Sequence, residues 1–108
     1  AFASDVQPYY DSETTIAGKV NVSSKTFTVT VQGPSSVTKV KMEATLYQKK
    51  LIGREEISTM SASSNSARCS KSQSAAIEKG KTYVIEVTAQ VYSGGAWDTI
   101  EETITVKT

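Results

Sequence analysis

From Tyr83 to Val91, apolar side chains occupy every second position: Tyr83, Ile85, Val87, Ala89 and Val91. Glu86, Thr88 and Gln90 fill most of the gaps, and Val84 departs from the polar parity. A strand sends successive side chains to opposite faces, so this stretch fits an antiparallel strand with one face on a core and one on water. The same period recurs twice upstream. Phe27, Val29 and Val31 alternate with Thr26, Thr28 and Thr30, and Val40, Met42, Ala44 and Leu46 alternate with Lys39, Lys41, Glu43, Thr45 and Tyr47. No segment shows the 3.6-residue period of a helix.

Weaker signals complete the series. Ile16, Val20 and Val22 mark a first strand, broken at Gly18. After Leu46 a turn near Lys49–Gly53 leads to a strand over Arg54–Met60 carrying Ile57. "SASSNSA" at 61–67 reads as a polar loop, and a short strand follows over Arg68–Ala75. "SGGAWD" at 93–98 reads as a hairpin turn containing Trp97, before a last strand with Ile100, Glu102, Ile104 and Val106 on one face. Glu102 puts a carboxylate on the core parity there. It calls for a position at the sheet's end or a bulge that shifts the register. About seven strands with turn signals between them predict an all-β, immunoglobulin-like antiparallel sandwich. At 108 residues the chain fits one domain, 1–108, with residues 1–12 as an extended arm carrying Tyr9 and Tyr10.

Before the strongest strand stands "IEKGKTY". An apolar residue, a short polar turn with Gly80, then Tyr83 opening a core strand resembles the tyrosine corner of immunoglobulin-like and fibronectin type III sandwiches. That resemblance implies a hydroxyl that reaches back to the Ile77–Lys79 segment. The other reading is a tyrosine that simply opens a hairpin strand.

A wider resemblance rests on three stretches in order: "VQPYY" near the start, "VTKVKMEATLYQKK" at 37–50 and "IEKGKTYVIEVTAQVYSGG" at 77–95. Together they resemble a group of small secreted proteins of Gram-positive bacteria, over most of the chain from about Val6. "REEISTM" departs from that group, which is richer in Trp at this segment, and only one Cys is present. The resemblance implies a secreted sandwich and carries no catalytic motif. Ala1-Phe2-Ala3 also looks like the end of a removed signal peptide, which again points to an extracellular protein.

Several activities lack their residues. The chain has no His, which removes Ser-His-Asp and Cys-His arrangements, and one Cys without His removes the usual zinc sites. Glu55-Glu56 and Glu101-Glu102 are neighbours in strands and so point to opposite faces. Asp5, Asp11 and Glu13 lack the spacing of a calcium loop. The expectation is therefore a non-enzymatic protein with no cofactor and no metal. A net charge of +1 predicts no strong pull on nucleic acid or an anionic membrane. No apolar run approaches the ~20 residues of a membrane helix, so membrane insertion is not expected. The lysines look scattered, with roles in solubility and edge protection. Cys69 reads as a buried, inert thiol or as half of a disulfide to a second chain.

Aromatic residues are the remaining lead. Trp97, Tyr92 and Tyr47 are the candidate ligand-binding residues, because exposed rings stack on sugars and anchor partner proteins. The competing reading folds Trp97 over the end of the sandwich as a core lid. The expected function is a secreted binding module that recognises a glycan or protein at a cell surface, as a monomer or weak homo-oligomer. The alternative is a structural or self-associating polypeptide of the cell envelope.

Overall fold

A computed structural model describes residues 14–108; the expected N-terminal arm lies outside them. Seven strands follow in order: β1 (Thr15–Asn21), β2 (Thr26–Gln32), β3 (Lys39–Lys49), β4 (Arg54–Ser64), β5 (Arg68–Ser74), β6 (Thr82–Ser93) and β7 (Ala96–Lys107). They form two antiparallel sheets, one of three strands in the order β1-β2-β5 and one of four in the order β4-β3-β6-β7. The chain changes sheet between β2 and β3, between β4 and β5, and between β5 and β6.

The alternating residues explain why the sheets stack. Phe27, Val29 and Val31 of β2, Val40, Met42, Ala44 and Leu46 of β3, and Tyr83, Ile85, Val87, Ala89 and Val91 of β6 are all buried in one cluster. Ile100, Ile104 and Val106 join it from β7, and Ile16 and Val20 from β1. Each sheet thus turns one apolar face to the other, where its area leaves water. Cys69, opposite Val31, points into this core and is 5% exposed. Burial pushes its thiol pKa up, an effect that nearby Lys71 partly offsets, which suits the inert reading of the side chain.

Four details differ from the sequence reading. β1 is unbroken through Gly18, whose missing side chain faces the core. A Cβ there would stand 2.8 Å from Ile104 Cδ1 and 3.2 Å from Ile85 Cδ1, so the glycine marks close sheet packing, not a break. β4 runs to Ser64, because its backbone pairs with β3 along the whole length, and Ser61–Ser64 need no apolar pattern to do so. A bulge sits on β4 opposite Leu46/Tyr47, at Ile57. Finally, β6 and β7 keep one continuous register from Thr82↔Lys107 to Ser93↔Ala96, so Glu102 faces inward opposite Val87, mid-strand and without a bulge.

The turn before β6 carries Gly80 at φ +85°, a conformation costly for other residues. The Glu78 N–H donates to the Tyr83 hydroxyl at 2.7 Å. Tyr83 is fully buried, so this bond ties the crossover to the core. Tyr83→Phe is expected to cost ~0.5–1.5 kcal/mol by removing the acceptor of that N–H. A urea midpoint unchanged from wild type would count against a structural role for the hydroxyl.

Candidate functional site

The outer face of the four-stranded sheet carries all three candidate aromatics. The glycine pair at the last hairpin decides where Trp97 goes. Gly94 and Gly95 have φ of +62° and +83°, the combination a two-residue hairpin turn needs. The strands therefore pair right up to the turn, with Ser93 opposite Ala96. Trp97 is the second residue of β7, opposite Tyr92, and not part of the turn. It is 39% exposed and lies outside the core cluster, which rules out the lid.

Trp97 and Tyr92 pack against each other with ring centroids 5.1 Å apart and planes tilted by 55°. Two lysines of β3 complete the group. Lys41 Nζ lies 4.7 Å from the Trp97 ring centre and Lys39 Nζ 5.4 Å from that of Tyr92. Each cation–π contact contributes about 0.5–1 kcal/mol at such exposed positions and, more usefully, limits the rotation of both rings.

Next to this group the sheet surface dips into an open depression of about 520 Å³. Lys41 and Glu43 of β3, Ser61 and Ser63 of β4, and Thr88 and Gln90 of β6 supply its polar lining. Their adjacency follows from register: Lys41 stands between Ser63 and Gln90, and Glu43 between Ser61 and Thr88. The lining offers hydroxyls, an amide and one charge of each sign. Such a surface selects by hydrogen bonding more than by net charge.

Tyr47 shares this face but not this site. It sits opposite Val84, while Tyr92 sits opposite Lys39, eight residues earlier on β3. At ~3.3 Å per residue that separates them by about 26 Å. The Arg54 guanidinium covers the Tyr47 ring at 3.8 Å and binds Glu86 at 2.8 Å. Glu86 thereby pairs with Arg54 and not with Lys39 or Lys41 on the neighbouring strand, and its hydrogen bond raises the arginine's pKa further. Under this cover Val84 is 8% exposed although it lies on the outer parity. The polar lining of the depression was missed by sequence reasoning. Its only trace was the shared outer parity of Lys41, Glu43, Thr88 and Gln90, which says nothing of β4's register.

Among the described residues no group of three or more His, Cys, Asp or Glu side chains is placed to hold a metal ion. Comparison of the chain with protein-family models, curated proteins and solved structures found no match.

Proposed function

We propose that the protein is a secreted, non-enzymatic binding module of immunoglobulin-like architecture that recognises a glycan on the outer face of its four-stranded sheet. The observation that carries this reading is the Tyr92–Trp97 ring pair beside a depression lined by hydroxyl, amide and charged groups. Sugars present apolar C–H faces to aromatic rings and hydroxyls to hydrogen-bonding side chains. Rigid rings lose little freedom on binding, which favours affinity. The architecture is supported by the strand orders β1-β2-β5 and β4-β3-β6-β7 and by the backward bond to the Tyr83 hydroxyl. The extracellular setting rests on the resemblance to small secreted Gram-positive proteins.

The test is a screen of labelled protein on glycans and bacterial wall fragments, with Trp97→Ala alongside. Specific binding that Trp97→Ala weakens at least about tenfold is the expected result. Failure on every surface overturns the glycan reading.

A further inference from the structure

The β3–β4 turn has its own left-handed glycine, Gly53 at φ +75°, yet it exposes two large aliphatic side chains. Tight turns favour Gly, Asn, Asp and Ser, and this chain uses such residues in "NVSSK", "SNSA" and "SGG". At the β3–β4 turn it places Leu51 and Ile52 side by side, 103% and 91% exposed. Large aliphatic side chains gain nothing there from folding. The turn is nevertheless held: the Lys50 N–H donates to the Gly53 carbonyl at 3.1 Å. Behind it, Arg54 is clamped between Tyr47 and Glu86.

The surroundings are basic. Lys49, Lys50 and Arg54 flank the aliphatic pair in sequence. The β1–β2 turn reaches the same end of the molecule, since Lys25 Nζ donates to the Ile77 carbonyl and Ala75 N–H to the Lys25 carbonyl. The β5–β6 connection brings Lys79 and Lys81, and the end of β7 brings Lys107, tied there by bonds between Thr108 and both Lys81 and Glu78. The acidic residues at this end are Glu55, which pairs with Lys50 at 3.0 Å, Glu86, which pairs with Arg54 at 2.8 Å, and Glu56 and Glu78. Basic side chains outnumber them, although the whole chain carries only +1. Lysines that look scattered along the sequence are thus gathered by the fold at one end.

We propose that this end docks on an anionic lipid surface, with Leu51 and Ile52 entering the interface and the surrounding lysines facing the headgroups. An exposed aliphatic pair ringed by cations matches the two attractions a peripheral protein uses: burial of apolar area and attraction to negative lipid. It is a shallow seat and requires no membrane-spanning segment. The site lies at the other end of the sheet from Trp97 and stands independently of the glycan reading.

The experiment is vesicle co-sedimentation of the whole chain. It compares phosphatidylcholine vesicles with equimolar phosphatidylcholine–phosphatidylglycerol vesicles, using wild type, Leu51→Ser/Ile52→Ser, Lys49→Gln and Trp97→Ala. Both tip substitutions fall on exposed side chains, and unchanged urea midpoints establish that they leave the fold intact. Expected are binding to the anionic vesicles only, a loss of tenfold or more in the double variant, and a loss of about fivefold for Lys49→Gln. Binding should weaken with added salt, and Trp97→Ala should bind as wild type. The proposal is overturned if wild-type protein stays in the supernatant with anionic vesicles as it does with phosphatidylcholine vesicles. It is equally overturned if the double variant binds as wild type.

Discussion

Phe27→Ala is expected to lower the stability of the fold by about 3–5 kcal/mol, measured as the loss in unfolding free energy from urea titration. Phe27 is fully buried at the middle of the three-stranded sheet, between Val20 on β1 and Gln73 on β5. Among the described residues, it and Tyr83 are the two largest side chains completely withdrawn from water. Truncation removes the transfer energy of the ring and leaves a cavity that two stacked sheets cannot close without moving relative to each other. Against a typical total of ~5–15 kcal/mol, the loss consumes much of the stability of a chain this size. Thr28→Ala is the internal control. One position along, Thr28 faces outward and shares a 2.6 Å hydrogen bond with Ser72 at an exposed site. Its loss should stay within about 1 kcal/mol. Equal costs for the two substitutions would contradict the inward assignment of Phe27, and with it the way the two sheets are stacked.

That pair of neighbours also shows what the sequence makes legible. Phe27 and Thr28 differ in face because the pleat has period two, and the alternation is written in the side chains. Where alternation is strong, in β2, β3 and β6, face and core membership follow directly. β4 is different. Its pairing with β3 is made by the backbone, and Ser61–Ser64 serve an edge strand as well as apolar residues would, so the sequence reads there as loop. Gly18 reads as a break for a related reason: what it accommodates, Ile104, lies 86 positions away and belongs to the other sheet. The candidate site was half legible. Tyr92 and Tyr47 could be placed on an outer face from parity alone, whereas Trp97 read as part of the turn. Their separation into one ring pair and one arginine-capped tyrosine depended on register and on Arg54, which no local pattern reveals. The basic end with Leu51 and Ile52 was hidden in the same way, since its lysines come from four separate parts of the chain.

Glu102→Leu is expected to raise stability by about 1–3 kcal/mol, the reverse of the usual effect of a core-facing substitution. The Glu102 carboxylate points inward opposite Val87, and its Oε2 is buried without a hydrogen-bond partner among the described residues. Its Oε1 accepts the neighbouring Thr103 N–H at 3.2 Å. A leucine would fill similar volume with nothing to desolvate. A higher urea midpoint at unchanged slope is the expected result, and a lower one would mean that the carboxylate has a partner that stabilises it. The gain raises the question of what the carboxylate does at its position. Among the described residues β7 is the outermost strand of its sheet, and an inward-pointing charge on such a strand is a known defence against edge-to-edge pairing with another copy. The stabilised variant should therefore be the more prone to self-association, visible as a concentration-dependent increase in sedimentation coefficient. If Glu102→Leu gains stability and stays as monodisperse as wild type, the charge is not an edge guard, and the cost of burying it serves something other than keeping copies apart.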